Sequence, residues 1–424
     1  MTRPYADLDY DWSPNFRDNF KAFFEQSHNN QRTANKNILE ELVRPRLRIA
    51  IVTETWPPEI NGVALSLLQL CKGLQKLGHK ILLIRPEQTQ DCQEFVPNKS
   101  CMVKAQAIPK YTSLQFGWPQ FLKVRQAIQE FSSDIVHIVT EGPLGLSALQ
   151  SAKQLNLPVS SGFHSPFQDM SRFFDLAFLL KPIQRYLRWF HNSTQLTCVP
   201  NAETANALRS FGVDCKLCVV GRGVDIQRFS PQHRSEKIRE SWGVATDTVV
   251  MLYVGRLSPE KQIGMIIESY QQMRQQGKNV SLVIVGDGPD HRHLTQMLGA
   301  ESVIFTGALS GQALTSVYAS ADVFVFASQV ETFGNVVLEA MASGLPVVAF
   351  DYACAQQYVV NYLSGWLVAK GNESGFKQIL YALPERLVLQ RMGRHALEAT
   401  RQAGWQFPVQ QFEQALYEVV QTAK

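Results

Sequence analysis

The stretch that most constrains the fold reads FASQVETFGNVVLEAMASGLPVVAFD and begins at Phe326. A small polar run, TFGN at 332–335, precedes the helix formers Val336 to Met341, so the pattern predicts a loop that enters a short helix. GLP at 344–346 ends this helix, and VVAF at 347–350 is typical of a buried parallel strand. A strand, loop, helix and strand in this order make a βαβ unit. Ligands of such units lie beyond the carboxyl ends of the strands, where the free N–H groups of the helix favour negative charge.

Two carboxylates stand eight positions apart in this stretch, Glu331 in the loop and Glu339 inside the helix, one turn after Asn335. Backbone donors at the helix start suit a phosphate, and a carboxylate that accepts from two vicinal hydroxyls makes a strong charge-assisted contact. The combination suits a nucleoside diphosphate that carries a polar sugar. Either Glu alone is better explained as a solvated surface residue, so the hypothesis depends on the pair and its setting. The two carboxylates need not be neighbours.

Length and composition set bounds for the whole chain. Its 424 residues are enough for two domains that each bury a sizeable core. No apolar run approaches the ~20 residues that span a bilayer, and the N-terminus MTRPYADLDYDWSP lacks both parts of a signal peptide, so we expect a cytoplasmic protein. The net charge of +4 tolerates anionic ligands or anionic lipid surfaces and gives no indication of nucleic acid.

The seven cysteines are scattered along the chain, as expected for reduced thiols in a cytosolic enzyme. Cys215 and Cys218 form a lone C-x-x-C. A structural zinc site needs a second pair at similar spacing, which Cys92 and Cys101 do not supply. We therefore predict that Cys215 and Cys218 are buried strand residues and hold no metal.

A second βαβ unit opens the first half of the chain at Arg46. A buried strand at 49–52 leads into the turn-rich loop PPEING and then into helical periodicity from Val63 to Leu77. Gly62 lies where a glycine lets the backbone approach a ligand and where the helix amides can face a phosphate. Asn-Gly pairs are common in turns, so the hypothesis depends on the position of Gly62 between a strand and a long helix.

The second half begins with the apolar strand pattern Val249–Val254. It runs into GRLSPEK, where Arg256 and Lys261 are within reach of a diphosphate at the strand end. Fixed cations there stabilise the negative charge that builds on a departing phosphate. The alternative interpretation is that Arg256 and Lys261 are an ordinary solvated pair of surface cations. At another strand end, backbone groups at Gly307 can contact a nucleobase. The glycine loop after Val285 lacks the G-x-G-x-x-G continuation, so a dehydrogenase that binds a dinucleotide is weakly supported.

The stretch ETFGNVVLEAMASGLPVVA closely resembles the signature of the retaining glycosyltransferases of family four, which have the two-domain GT-B fold. GRLSPEK resembles a second motif of that family, and HSPF at 164–167 matches its H-T/S-x-F pattern with Ser in the Thr position. The resemblance covers roughly Arg46 to the C-terminus. It implies an α/β fold of two doubly wound, Rossmann-like domains that face a central cleft. The implied division is an extension at 1–45, an acceptor domain at 46–220, a nucleotide-sugar donor domain at 221–400, and a C-terminal helix at 401–424 that crosses back to the first domain.

The resemblance also implies roles for individual residues. In this family the first Glu of the pair approaches the donor sugar and the second approaches the ribose. The implied catalytic residues are His164, Arg256, Lys261 and Glu331. The implied donor-binding residues are Gly62, Gly255, Gly307, Phe333, Gly334, Asn335 and Glu339. The sequence has no D-x-D metal site, so the implied reaction requires no divalent cation, and it uses no cofactor besides its UDP- or GDP-sugar substrate.

Within the family, HIVTEGPLGLSAL and SGFHSPF…YLRWFHN look most like bacterial enzymes grouped with the sulfoquinovosyl-diacylglycerol synthases and the GDP-mannose-dependent α-mannosyltransferases. This implies transfer of a hexose to a lipid hydroxyl, with an α-linkage and anomeric retention. A cell-surface polysaccharide or lipopolysaccharide acceptor is the first alternative. A nucleotide-sugar 2-epimerase and a non-catalytic nucleotide-sugar-binding protein are further alternatives. Because Arg256, Lys261 and both Glu residues are present, the non-catalytic alternative is disfavoured.

Two aromatic segments raise the question of a membrane contact. Phe16, Phe20, Phe23 and Phe24 recur at helical spacing in the N-terminal extension, which predicts a short helix docked on the body. In LAFLLKPIQRYLRWFHNST, an apolar face is flanked by basic and aromatic residues; the face comprises Leu179, Ile183, Leu187 and Phe190, and the flanks Lys181, Arg185, Tyr186, Arg188 and Trp189. Such a helix more often packs on a core. The minority hypothesis is that it binds peripherally to an anionic membrane, on the inner face of the cytoplasmic membrane.

Overall fold

A computed structural model of the protein describes residues 45–59, 61–88, 94–108, 111–164, 180–297 and 303–423. The predicted N-terminal helix, the residues SPF at 165–167 and Leu179 lie outside these ranges. Residues from Arg48 onward belong to one unit, and all contacts given below lie within it.

The first half of the described chain builds one parallel sheet and one hairpin. Its strands are β1 Arg48–Val52, β2 Lys80–Pro86, β3 Lys99–Val103, β4 Ala105–Ile108, β5 Tyr111–Gly117, β6 Ile135–Ile138, β7 Val159–Gly162, β8 Leu196–Val199 and β9 Lys216–Val219. Strands β4 and β5 pair antiparallel, and the others form the first sheet in the order β3-β2-β1-β6-β7-β8-β9. The helices of this half are Gly62–Lys76, Phe121–Glu130, Pro143–Gln154, Leu180–Asn192 and Ala202–Phe211.

The second half builds another parallel sheet. Its strands are β10 Val249–Val254, β11 Val280–Val285, β12 Ile304–Gly307, β13 Val323–Phe326, β14 Val347–Phe350 and β15 Gly365–Val368, in the order β12-β11-β10-β13-β14-β15. The helices are Glu236–Ser241, Ile263–Gln275, His291–Gln296, Gly311–Ser320, Asn335–Ala342, Ala353–Tyr358, Glu373–Tyr381 and Arg386–Thr400, followed by Gln406–Thr422. Short 3-10 turns lie at Pro231–His233 and Pro259–Lys261.

Helices cover both faces of such a sheet, so its strands are continuous apolar runs rather than alternating patterns. Strand β10, VVMLYV, is buried along its whole length, and so is β14, VVAF. Each sheet has one switch point, at which the crossovers on its two sides diverge. The switch point lies between β1 and β6 in the first sheet and between β10 and β13 in the second. Ligands of doubly wound sheets bind outside the carboxyl ends of the strands at such points.

The predicted α/β fold with two doubly wound, Rossmann-like domains is confirmed. Strands β10 and β14 have the predicted bounds, whereas two helices begin one residue earlier than predicted, at Gly62 and at Asn335. For the first of these helices, the reason is Asn61, whose side-chain oxygen accepts from the Ala64 N–H at 2.8 Å and caps the helix.

The prediction that Cys215 and Cys218 are buried strand residues was wrong in detail. Both are half-buried, and Cys215 precedes the strand β9 that contains Cys218. The reason is that β9 lies at the edge of the first sheet, where one side of the strand has no neighbouring strand.

The last helix, Gln406–Thr422, packs against the first half of the chain. The Phe412 ring meets the His137 ring edge-on, with ring centroids 4.7 Å apart. Glu413 Oε1 lies 2.7 Å from His79 Nε2 in a buried pair. No described helix combines the length and the apolar character needed to cross a membrane.

The chain therefore crosses between the two sheets twice, before β10 and again before the last helix. The two crossings touch: Val224 N donates to the Ala403 carbonyl oxygen at 2.8 Å. Gly223 packs so closely on the backbone of Trp405 that a Cβ at position 223 would lie 2.8 Å from its nitrogen.

A buried ion-pair network ties the segment before β10 to the second sheet. Asp322 accepts from Arg239 at 2.9 Å, from Arg386 at 3.0 Å and from Arg234 at 3.4 Å. Its Oδ2 also accepts from the Val250 N–H at 2.9 Å. Asp322 is 5% exposed and Arg239 is 1% exposed, so water cannot replace these contacts.

We expect Asp322→Ala to lower the free energy of unfolding by about 3–5 kcal/mol, because it leaves the buried Arg239 guanidinium without its carboxylate. Urea denaturation of the purified variant measures the loss. Glu236→Ala is the control: Glu236 pairs with Arg234 while its side chain is 61% exposed, and we expect a loss of at most about 1 kcal/mol. Equal losses in the two variants would contradict the role assigned to Asp322.

Candidate functional site

The loops that follow β10 and β13 meet at the switch point of the second sheet. The first loop ends with Lys261 and the second contains Glu331, and Lys261 Nζ forms an ion pair with Glu331 Oε1. Lys261 Nζ also lies 3.4 Å from Ser328 Oγ and 3.4 Å from the Val330 carbonyl oxygen. The side chains of Lys261 and Glu331 are only 13% and 17% exposed. The fold therefore joins two of the predicted catalytic residues in a largely desolvated pair.

Arg256 extends from the same loop as Lys261. Its Nη2 donates to Glu260 Oε1 at 2.9 Å, and Ser258 Oγ donates to the same oxygen at 2.6 Å. The Arg256 side chain is 56% exposed. The Glu260 side chain is 17% exposed and keeps the Ser258 hydrogen bond if Arg256 moves, so the exposed guanidinium can turn toward an anion without leaving this carboxylate without a donor.

The helix that starts at Asn335 begins at the same edge of the sheet. Gly334 precedes it with φ of +91°, a left-handed conformation that side-chain-bearing residues rarely adopt. Asn335 Nδ2 donates to Ser66 Oγ at 3.3 Å, which links this helix to the first half of the chain. Asn335 Oδ1 is buried and has no hydrogen-bond partner among the described residues. The Glu331 side chain lies next to the residue that precedes this helix, since a Cβ at Gly334 would lie 3.7 Å from Glu331 Cγ.

Glu339 lies on the same helix as Asn335 and is held by a tyrosine. The hydroxyl of fully buried Tyr318 donates to Glu339 Oε2 at 3.0 Å. Burial raises the pKa of Glu339 above its ordinary value, and the Tyr318 hydrogen bond opposes this shift. Among the described residues, no hydrogen bond joins Glu339 to Glu331. The two carboxylates of the motif therefore have separate environments.

The remaining predicted donor-binding residues fall into two groups. The Phe333 side chain is 5% exposed and belongs to the hydrophobic core. Gly255 follows β10, and a Cβ there would lie 2.8 Å from the Tyr253 hydroxyl. Around Gly62 and Gly307, a Cβ would meet no atom within 4 Å, so both positions leave room beside the backbone. The roles of these residues stay predictions.

His164 follows β7 and is half-buried. Its carbonyl oxygen accepts from Thr332 Oγ1 at 3.1 Å, and the Thr332 carbonyl oxygen accepts from Asn201 Nδ2 at 3.0 Å. Since Thr332 follows Glu331, these bonds join the Glu331 loop to the first half of the chain. The His164 imidazole instead accepts at Nδ1 from Arg222 Nη2, at 2.8 Å.

A second titratable cluster lies at the switch point of the first sheet. Glu54 follows β1, and its Oε1 accepts from the Leu144 N–H at 3.0 Å. Glu141, which follows β6, lies with its Oε1 3.1 Å from His191 Nε2. Burial raises the pKa of Glu54 to about 7, and the Glu141 carboxylate adds to this shift, while the Leu144 hydrogen bond opposes it.

Within the described residues, no three His, Cys, Asp or Glu side chains converge as a metal site would require. Cys215 Sγ lies 3.2 Å from Thr197 Oγ1.

Sequence reasoning did not identify four residues of these clusters: Arg222, Tyr318, Glu54 and Glu141. Each contacts a partner that the fold brings close, and no motif spacing marks the pair. Arg222 lies between two glycines at the first crossing, which is a signal for a close backbone approach and not for a buried cation.

Two known protein families together match most of the described chain. The family described as "Glycosyltransferase Family 4" matches residues 60–228, and the family described as "Glycosyl transferases group 1" matches residues 234–398. The first match covers the first sheet from the helix after β1 onward, and the second covers the whole second sheet.

Individual proteins give the same result. A GDP-mannose-dependent alpha-mannosyltransferase of Mycobacterium tuberculosis is 33% identical over 368 residues, which are 86% of this chain and 94% of the relative. An alpha-monoglucosyldiacylglycerol synthase of Streptococcus pneumoniae is 27% identical over 72% of this chain and 71% of the relative. The crystal structure of Anabaena HepE in complex with UDP-glucose superposes with a TM-score of 0.68 and 22% identity, covering 89% of this chain and 100% of that one. This last likeness concerns the fold.

We expect Glu54→Gln to change the pH dependence of stability. The folded-state pKa of Glu54 is about 7 and the unfolded value is 4.5, so the folded protein keeps a proton that the unfolded chain loses. The free energy of unfolding therefore falls as the pH rises from 4.5 to about 7, by up to about 3 kcal/mol, and stays reduced above that range. Urea titrations at pH 5 and pH 8 should show that the free energy of unfolding of Glu54→Gln does not fall in this way between the two pH values. Glu203→Gln, on an exposed helix position, is the control and should retain the wild-type slope; the same slope in Glu54→Gln would refute the assignment.

Proposed function

Because this chain belongs to the glycosyltransferases of family four and group 1, we propose that it moves a hexose from a UDP- or GDP-sugar to a lipid hydroxyl, with an α-linkage and anomeric retention. The observation that carries this proposal is the Lys261–Glu331 pair at the switch point of the second sheet. A cation and a carboxylate held there, beside the start of a helix, suit a ligand that combines a diphosphate with sugar hydroxyls.

In the proposed reaction, the bond between the anomeric carbon and the diphosphate oxygen breaks while the acceptor oxygen bonds to the same face of the sugar. The acceptor proton leaves with the departing diphosphate. Lys261 and Arg256 stabilise the negative charge that builds on this leaving group, together with the N–H groups of the helix that starts at Asn335. Glu331 contacts the sugar and Glu339 the ribose. The protein's own side chains and N–H groups therefore balance the leaving-group charge, and the proposed reaction uses no cofactor.

The nature of the two substrates is supported by the names of the relatives. One relative is named for GDP-mannose and another for the synthesis of monoglucosyldiacylglycerol. We propose that the second sheet holds the nucleotide sugar. The first sheet would hold the lipid acceptor near its own switch point, where Glu54 and Glu141 lie.

A lipid acceptor requires access to a membrane surface, and helix Leu180–Asn192 offers one. Its apolar face packs on the core, because Leu187 and Phe190 are buried, so the proposed membrane contact falls to Trp189, which is 47% exposed, and to the cations. The cations Lys181, Arg185 and Arg188 are exposed on the same helix. We propose that this helix seats the protein peripherally on the anionic inner face of the cytoplasmic membrane.

The proposed activity predicts a specific product. Purified protein incubated with membrane lipid extract and a panel of UDP- and GDP-sugars should release the nucleoside diphosphate from one donor and add one hexose to a lipid, as read by mass spectrometry. Lys261→Ala should lower turnover by about 10²–10³-fold, because the leaving group loses a fixed cation. Lys377→Ala removes a surface lysine that pairs with Glu268 and is the matched control with unchanged turnover.

The other outcomes separate the alternatives. Nucleotide release without a glycosylated lipid favours a polysaccharide or lipopolysaccharide acceptor. Release of free sugar without any acceptor favours an epimerase. Tight nucleotide binding without turnover on any acceptor would support a non-catalytic protein.

The membrane proposal predicts a loss of vesicle binding when the cations of helix Leu180–Asn192 are removed. A variant with Lys181, Arg185 and Arg188 changed to Gln should bind phosphatidylglycerol-containing vesicles about 100-fold more weakly in sedimentation, since each cation near the surface contributes about 1 kcal/mol. The control changes Arg391, Arg394 and Arg401, also exposed, to Gln. If both triple variants bind equally, net charge explains the binding and the helix has no special role.

A further inference from the structure

Arg222 is a buried cation that has no carboxylate partner among the described residues. It lies at the first crossing between the sheets and is 6% exposed. Among the described residues, it takes part in no salt bridge, and its hydrogen bond goes to His164: Arg222 Nη2 lies 2.8 Å from Nδ1. Burying a guanidinium against a neutral partner is costly, and burial lowers the pKa of Arg222 to about 10. Because burial of Arg222 beside a neutral histidine does not stabilise the fold, its position indicates a functional role.

The bond fixes the chemistry of the imidazole because a guanidinium has donors and no acceptor. His164 Nδ1 must therefore accept with its lone pair, and the ring proton resides on Nε2. A second proton on the ring would have to occupy Nδ1, where it would face the guanidinium. His164 is thus confined to one neutral tautomer, in which Nε2 is a donor.

Gly162 makes room for the orientation of the ring. His164 folds back over this residue, so that a Cβ at position 162 would lie 2.5 Å from His164 Nε2 and 3.3 Å from Cδ2. The other near atom is Cε1 of the same imidazole, at 3.4 Å, so the hydrogen in place of a side chain makes room for this ring alone. The Arg222 hydrogen bond thus holds the imidazole in an orientation that the absence of a side chain at Gly162 permits.

We propose that Arg222 is a positioning residue that holds His164 as a neutral imidazole with its proton on Nε2 throughout the working pH range. This inference rests on the proposed function, in which His164 faces the donor sugar. As the anomeric bond breaks, positive charge develops on the sugar ring. An imidazolium at His164 would repel that charge, whereas the neutral ring, whose Nε2 is turned toward Gly162, adds no like charge beside the sugar.

The other titratable groups near His164 do not oppose this state. His137 and Cys198 line the same cavity as His164 and Arg222, together with the apolar residues Val63, Leu67, Leu70, Val199, Val220 and Phe412. His137 is buried, which lowers its pKa to about 3, and His191 contributes a further repulsive interaction with a charged His164. No carboxylate lines this cavity in the described part of the chain. Burial first, and then the Arg222 guanidinium, hold the pKa of His164 well below its ordinary value.

The first test needs neither substrate nor activity. Protein with ¹⁵N-labelled imidazoles is titrated by NMR from pH 5 to pH 8, and the His164 signals are assigned by their absence in His164→Asn. The proposal expects an unprotonated Nδ1 and a protonated Nε2 across the whole range. A protonated Nδ1, or a titration near the ordinary histidine pKa of about 6.5, would overturn it.

Arg222→Met removes the charge and the donor while keeping much of the side-chain volume. His164 should then take up a proton at a higher pH than in the wild type. Arg85→Met is the matched control, since Arg85 is a buried arginine on β2 that hydrogen-bonds to Gln88, and it should leave the His164 signals unchanged. Unchanged His164 titration in Arg222→Met would refute the positioning role.

Gly162→Ala provides a second variant, should Arg222→Met not fold. The added methyl should displace the imidazole and separate Nδ1 from Arg222, so that the His164 signals move as they do in Arg222→Met. An unmoved ring in Gly162→Ala would contradict the geometry.

Activity adds a readout that a purely structural defect would not move. The ratio of kcat for Arg222→Met to wild type should fall by up to about tenfold per pH unit on the acid side of the new His164 pKa. The NMR titration could show a fixed tautomer while the ratio of the two kcat values does not change with pH. Arg222 would then hold the tautomer, but His164 would not serve the chemical step. That outcome contradicts the proposed role of His164 and leaves the Arg222 assignment intact.

Discussion

The common direction of the strands in each sheet is the constraint on which the site depends. Because all strands of a sheet run parallel, their carboxyl ends share one edge, and every loop that follows a strand lies there. The order of the second sheet puts β10 beside β13, although the residues between them build two further strands. This order brings Lys261 to Glu331, which lie 70 positions apart in the chain. The ion pair follows from the topology, and the motif residues supply the charges.

The three cations Lys261, Arg256 and Arg222 differ in their burial and in their partners. Lys261 is paired with the Glu331 carboxylate in a mostly buried position. Arg256 is exposed and solvated, and it can change partner at little cost. Arg222 is buried against a neutral ring. The two loop cations therefore differ: Lys261 is mostly desolvated beside its carboxylate, whereas water still solvates Arg256.

The elements of the structure that depend on local sequence patterns could be predicted from the sequence. Apolar runs predicted β10 and β14 to the residue, and the alternation of strands and helices predicted both sheets. The loop and helix around Gly334 followed from a single motif. The contacts of Arg222 with His164 and of Glu54 with Leu144 span 58 and 90 positions and carry no spacing signal. Burial, which decides the protonation of Glu54 and His164, is likewise a property of the folded chain.

The two sheets are joined more firmly at the crossings than at the candidate site. Across the site, the described hydrogen bonds are those of Thr332 with His164 and Asn201 and that of Asn335 with Ser66. Each such bond contributes about 1 kcal/mol net. The last helix instead buries Phe412, Leu416 and Tyr417, each at most 3% exposed. Burial of one such side chain stabilises by about 1.5–3 kcal/mol, so the helix holds the return crossing in place independently of the polar contacts that line the cleft.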